Sequence, residues 1–448
     1  MACFYKNCDK LKITIPRVEE KNKFTVYEIQ IEVDDVKWSV FHRFRDFAQL
    51  HDVLVASHSV AKDLLPPKKV IGNKEPTFIE KRRNGLENYL ITVVRFLQKT
   101  MPRELAHFLD FQYYDIQFLL YSLAEKFYME DEESVLKSHI FTPLELHAIS
   151  ERLKQPCVNF GQIDLKQDFS HVLDYCTRLK ELKIHGSVNA VKNSNIIPNK
   201  LSYEFSSFKS LEKLYLRNVN CDMIVDFGTL RSTLKTIEIH NSNIVNLSEI
   251  LLCDQVHRDE IDVNGPNVFK NIINADFSDN NLTSIDKSIQ LLPNVESLNF
   301  EGNKIKDLQF LNSLIKLKYL NLSANHFKST QSLEIKLCKI VFLDMSQNQL
   351  TTLREFAKLY SLETLNVSSN KISDVSEIKH ISNLPCLENL ILTGNSISFI
   401  VDYRLKVLEL FGNRVSEICL DNEKPNQKEL DKVAILQAIR LAKEGQRK

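Results

Sequence analysis

Arg43, Phe44, Lys68, Lys69 and Arg82 are the residues whose types and spacing could do chemistry in this chain. They lie in three short segments: His42-Arg43-Phe44-Arg45-Asp46-Phe47, Leu64-Leu65-Pro66-Pro67-Lys68-Lys69 and Lys81-Arg82-Arg83. The chemistry they suggest is anion recognition. A guanidinium fork holds a phosphate through two parallel charge-assisted hydrogen bonds. An aromatic ring beside it, here Phe44, can form a floor under a sugar ring. Pro66 and Pro67 fix φ, so the loop that carries the lysines is presented without a large ordering cost. Residues 62–83 are locally basic, although the whole chain has zero formal net charge. Attraction to an anionic surface is therefore local, and bulk charge gives no reason to expect nucleic acid as a partner.

Elements must position these side chains. Leu11, Ile13 and Ile15 alternate with polar residues, and Tyr27, Ile29, Ile31 and Val33 do so again, which predicts strands with a turn at Asp34-Asp35. A third strand through Trp38 and Val40 delivers Arg43 at its end. An apolar stripe of Phe44, Phe47, Leu50 and Leu54 predicts a helix over 43–58, and a second helix is expected over 76–98, with a third over 102–111. The three basic segments, in this order and joined to a small sheet, resemble the PX (phox homology) family. The resemblance implies an α+β domain over residues 1–115, with a three-stranded antiparallel sheet and a helical subdomain. It further implies that Arg43 holds the 3-phosphate of phosphatidylinositol 3-phosphate, and that Phe44 stacks beneath the inositol ring. Lys68 or Lys69 would meet the 1-phosphate. Arg82, rather than Arg83, would bond the ring hydroxyls, and Val70 and Ile71 would enter the bilayer interface. Arg45 stands where the family often has Ser or Thr.

Residues 116–160 read as a helical connector, with Phe118, Leu119, Leu123 and Phe127 on one side and a helix start at Pro143. Packing against the first domain is the reading favoured over pairing with another chain.

Farther along, the chain repeats itself. Six segments fit L-x-x-L-x-L-x-x-N, starting at Ile272, Val295, Leu317, Ile340, Leu362 and Leu387. Their Asn residues are Asn280, Asn303, Asn325, Asn348, Asn370 and Asn395, spaced 22 to 25 apart. This is the leucine-rich repeat pattern, and it predicts an α/β solenoid of parallel strands over 165–421. Each Asn is expected to bond main-chain groups at the turn. Three earlier segments from Leu179, Leu211 and Leu234 are degenerate, with Ser187, Val219 and Ser242 at the Asn position. Asp402-Tyr403-Arg404 and Val415–Asp421 resemble the C-terminal cap of intracellular repeat proteins. An amphipathic helix follows within 427–448, and packing on the cap is favoured over a partner-binding tail.

No enzyme is expected. His257-Arg258-Asp259 and Asp226-Phe227-Gly228 mimic kinase motifs, but in the wrong order and without a glycine-rich loop. The nine cysteines contain no C-x-x-C pair and the twelve histidines no ligand cluster, so neither metal nor cofactor is expected. No apolar run is long enough to span a bilayer. Without a signal-peptide pattern, the thiols are expected to be reduced and intracellular.

The combination of both modules with this cap resembles the nischarin (imidazoline-receptor-like) family. That resemblance implies a cytoplasmic scaffold, peripheral on early and recycling endosomes. Its array would serve small GTPases, their effectors or integrin-traffic proteins. The alternative is a sorting-nexin-type adaptor that dimerises through residues 115–155 and tethers or remodels membrane.

Overall fold

The structure is a computed structural model. It describes residues 1–21, 24–68, 75–129, 139–156, 164–253, 261–262, 265–330, 333–337 and 339–445. The chain forms two compact units: residues 1–178 with 186–207, and residues 179–185 with 208–448.

The first unit opens with β1 (Lys12–Lys21), β2 (Phe24–Val33) and β3 (Val36–Arg43), an antiparallel sheet in that order. Its core-facing residues Ile15, Tyr27, Ile29, Ile31, Val33 and Trp38 are buried, while Phe24 is exposed. β1 carries an irregularity between Thr14 and Arg17. Pro16 sits there and lacks the N–H that a regular ladder would use. Helices α1 (Phe44–His58) and α2 (Pro76–Leu97) follow. α1 buries Phe47, Leu50 and Leu54, while α2 buries Leu86, Leu90, Val93, Val94 and Leu97. Short helices α3 (Arg103–Phe108) and α4 (Phe111–Tyr114) lead into α5 (Ile116–Tyr128). The two-residue strand β4 (Ile140–Phe141), α6 (Pro143–Lys154) and α7 (Phe169–Arg178) follow before the first repeat.

The start of the connector is part of this core. Asp115 is fully buried and caps α5, accepting from the Gln117 N–H at 2.9 Å and from the Phe4 N–H at 2.6 Å. Burial raises its pKa to about 7 against the opposing pull of those backbone donors. Tyr5 stacks on Phe118 with ring centroids 6.0 Å apart. Residues 186–207 also belong to this unit. Asn195 accepts from the Lys37 N–H at 3.0 Å and donates to the Asp35 carbonyl at 2.6 Å, which pins the β2–β3 turn.

The second unit is the repeat array. Strands β5 (Glu181–His185), β6 (Lys213–Arg217), β7 (Thr236–His240), β8 (Asn274–Asp276), β9 (Ser297–Asn299), β10 (Tyr319–Asn321), β11 (Phe342–Asp344), β12 (Thr364–Asn366), β13 (Asn389–Ile391) and β14 (Cys419–Leu420) stack in parallel and in chain order. Leu298, Leu320, Leu343, Leu365 and Leu390 point inward and are buried, while their neighbours on each strand are not.

The six repeat asparagines form one ladder. Each Oδ1 accepts a backbone N–H of the preceding repeat, as Asn348 does from Phe327 at 3.0 Å. Each Nδ2 donates to carbonyls of its own and the preceding repeat. The residue before each Asn is left-handed: Asp279, Gly302, Ala324, Gln347, Ser369 and Gly394 all have φ between 52° and 74°. At Gly302 a Cβ would lie 2.6 Å from the Asp279 carboxylate, so contact and backbone conformation both select glycine there. Ser242 takes part in the same ladder with a shorter side chain, its Oγ accepting from the Val219 N–H at 3.2 Å.

The array closes on α8 (Tyr403–Glu409) and α9 (Gln427–Gly445). Arg404 donates to the Leu420 and Glu423 carbonyls, both at 2.7 Å, and pairs with Glu429. α9 buries Val433, and Gln437 donates to the Glu409 and Gly412 carbonyls. Among the described residues, no helix is long and apolar enough to cross a membrane.

Candidate functional site

The site grows from the junction of β3 and α1. Arg43 ends the strand in an extended conformation, and its N–H donates to the Asp46 carboxylate at 2.8 Å. That bond starts the helix and leaves the Arg43 side chain exposed. Its guanidinium lies 4.0 Å from the centroid of the Phe24 ring, across the β2–β3 pairing. One residue earlier, His42 stacks on Phe108 at 3.9 Å and bonds the Phe108 carbonyl. Burial lowers the His42 pKa, so the ring is neutral and acts as a packing element.

Arg82 comes from α2. Its guanidinium sits between two rings, 4.3 Å from the centroid of Phe44 and 4.3 Å from that of Phe78. Its Nε and one terminal nitrogen are closed to solvent, and neither bonds another group among the described residues. Tyr27 is near enough for the Arg82 cation to oppose the burial that raises the tyrosine pKa. Phe44 thus links the Arg43 corner to Arg82.

Arg83 is used differently. It donates to the Ile15 carbonyl at the β1 irregularity and pairs with Glu80 and Glu87. Glu87 in turn accepts from the Ile15 N–H at 2.6 Å. Neighbouring residues on a helix point about 100° apart. Fastening Arg83 and Glu87 to the sheet therefore turns Arg82 toward Phe44. Gly85 brings α2 against the proline loop, where an added Cβ would lie 2.8 Å from Pro66 Cγ. Lys68 lies on that loop and is exposed, as is Arg45 on the first turn of α1. The expectations for Lys69, Val70 and Ile71 fall outside the described residues.

Phe78 could have been found from sequence, because it lies four residues before Arg82 on one helix face. Phe24 carried no such signal, since only strand pairing brings it to Arg43. Among the described residues, no group of histidine, cysteine or acidic side chains could hold a metal ion.

The PX domain family model matches residues 32–112. Unit 1 contains a PX domain. A model for two copies of leucine-rich repeats matches 293–336 and 338–380, so the second unit is a leucine-rich repeat array. Kinesin-like protein KIF16B of Mus musculus is 37% identical over 87 residues, covering 18% of this chain and 7% of that protein. Serine/threonine-protein kinase Sgk3 of Rattus norvegicus is 34% identical over 79 residues, 17% of this chain and 16% of that protein. Serine/threonine-protein kinase 11-interacting protein of Homo sapiens is 27% identical over 212 residues, 47% of this chain and 19% of that protein. This chain therefore spans less than a fifth of each of these relatives. Among solved structures, a designed CISK-PX domain is 30% identical, with a TM-score of 0.21, over 22% of this chain and 97% of that one. The Leptospira interrogans repeat protein LIC12759 is 20% identical, with a TM-score of 0.36, over 59% of this chain and 78% of that one. Phosphoinositide binding is the general property that goes with a PX domain, and protein interaction the one that goes with the repeats.

Proposed function

We propose that the PX domain binds phosphatidylinositol 3-phosphate and that the repeat array holds a protein partner. The chain is then a non-enzymatic scaffold recruited to the cytoplasmic face of early and recycling endosomes. The observation that carries this reading is Arg82, a cation clamped between Phe44 and Phe78 and near the Tyr27 hydroxyl, with two nitrogens closed to solvent and no carboxylate paired with it among the described residues. A half-buried cation without a carboxylate partner is well placed for an anionic or hydroxyl-rich ligand.

In this reading Arg43 forks the 3-phosphate, while Phe44 floors the ring and orients Arg82 toward the 4- and 5-hydroxyls. Lys68 supplies charge for the 1-phosphate from the proline loop, with Lys69 as the second candidate. Val70 and Ile71 add a shallow apolar contact. The resemblance to the nischarin family supports small GTPases or their effectors as the class of protein partner.

The test is co-sedimentation with vesicles containing phosphatidylinositol 3-phosphate, phosphatidylinositol 4-phosphate or neither. Selective retention on the first is expected, with loss in Arg43→Ala and Arg82→Ala. Equal retention on all three, or unchanged binding in both variants, overturns the reading.

A further inference from the structure

We propose that the concave face of the array over β8–β12 is a docking groove for an arginine- or lysine-bearing segment of a partner protein. This deepens the reading of the array as a protein-binding module and does not depend on the lipid site. The strands alternate, so the positions flanking the buried leucines face away from the core. At the centre of that face Tyr319 is 48% exposed, and Phe342 stands opposite it in register on the next strand. The two rings share a shallow hollow with Asp276, Asn299 and Asn321.

The charge around the rings is one-sided. Residues 274–278, 297–301, 319–323, 342–346 and 364–368 include Asp276, Glu301 and Asp344 but no Lys or Arg, although the chain as a whole has 58 of each sign. The nearest lysine in sequence, Lys318, is already paired with Glu296 at 2.9 Å.

The carboxylates are also held in place. Asn299 donates to Asp276 at 2.8 Å, Asn321 to Glu301 at 3.2 Å, and Asn366 to Asp344 at 2.7 Å. Amide donors fix the orientation of a carboxylate and leave its charge intact. His240 lies 3.9 Å from Asp276 at the edge of this patch.

Aromatic faces beside fixed carboxylates suit one kind of side chain. A guanidinium or ammonium group can lie on a ring and bond a carboxylate at the same time. A purely apolar helix would bury Asp276 and Asp344 without a counter-charge, which is strongly unfavourable. Phosphate-rich ligands are repelled. Charge complementarity therefore selects a basic segment.

The experiment uses the full chain and two fluorescein-labelled, unstructured peptides, one of Arg, Ser and Gly and one with Glu in place of Arg, read by fluorescence anisotropy. Saturable binding of the Arg peptide alone is expected. Tyr319→Ala and Asp344→Asn should each weaken it roughly 3- to 30-fold, in line with a cation–π or charge-assisted contact. Tyr319→Phe, which keeps the ring, should retain binding, and so should Glu417→Gln on the cap. Circular dichroism melting confirms that each variant is folded. Equal binding of both peptides, or full affinity in Tyr319→Ala, reduces the effect to diffuse charge and overturns the proposal. The unsubstituted chain is also run in the vesicle assay. Selective vesicle binding without saturable Arg-peptide binding marks a failure of the groove proposal alone, and saturable peptide binding without selective vesicle binding a failure of the lipid reading alone.

Discussion

Replacing Asn348 by alanine isolates one rung of the repeat ladder. Its Nδ2 donates to the carbonyls of Leu322 at 2.9 Å, Met345 at 3.1 Å and Ser346 at 3.0 Å. Each of these carbonyls has a second donor: Asn325 Nδ2 for Leu322, Asn370 Nδ2 for Met345 and the Ala324 N–H for Ser346. The ladder therefore shares its acceptors, and none of the three is stranded by the substitution. The Phe327 N–H is different. It donates to Asn348 Oδ1 in the buried interior, and alanine leaves it without that acceptor. One orphaned buried donor costs about 1–3 kcal/mol, and the weakened carbonyls add a few tenths, so Asn348→Ala should cost about 2 kcal/mol. Asn348→Asp keeps the acceptor for Phe327 but turns an oxygen toward three carbonyls and buries a charge, which should cost about 3–5 kcal/mol at neutral pH. Protonation should recover part of that loss in acid. Urea unfolding of the three proteins, compared at constant slope, measures both values. A loss below about 0.5 kcal/mol for alanine, or alanine costing more than aspartate, would refute the shared-acceptor account.

Four further outcomes are expected. Arg43→Ala should remove about 1.5–3 kcal/mol of affinity for phosphatidylinositol 3-phosphate vesicles, some 10- to 150-fold, with an unchanged melting temperature; a co-sedimentation titration reads it. Gly85→Ala should lower vesicle affinity without changing any charge, because its methyl group displaces Pro66 and with it the loop that carries Lys68; unaltered affinity would show that loop position is irrelevant. Asp115 has a folded pKa raised to about 7, so the native state holds a proton that the unfolded chain releases near pH 4. Its contribution is therefore fully present below pH 4 and lost as pH rises through 7, so wild type should lose stability relative to Asp115→Asn, whose amide does not titrate, across that window in denaturant titrations. Ala324→Gly should stabilise the array by about 0.5–1 kcal/mol, since Ala324 is left-handed at φ 52° and glycine carries no Cβ penalty there; a lower urea midpoint would contradict this.

The repeat array was legible in the sequence because its signal is local and periodic. A strand of three residues, a turn and an Asn recur every 22 to 25 residues, and each rung needs only its neighbours. The basic segments of the PX domain were legible for a similar reason: strand end, proline loop and helix face each carry their own chemistry. The left-handed residue before each Asn was not, because only two of the six are glycine.

Tertiary structure alone decided which cations remain available. Arg82 and Arg83 are adjacent and chemically alike, yet Arg83 is fastened to the Ile15 carbonyl while Arg82 is held between Phe44 and Phe78. Phe24 meets Arg43 only because β2 pairs with β3. Asn195 pins a turn 160 residues earlier in the chain. Asp276, Asp344, Tyr319 and Phe342 become one surface only when strands separated by whole repeats stack side by side. Periodicity and propensity act over a few residues and can be read along the chain. Pairing, packing and the allocation of hydrogen-bond donors act between residues far apart in sequence, and those decide which side chains are left to bind.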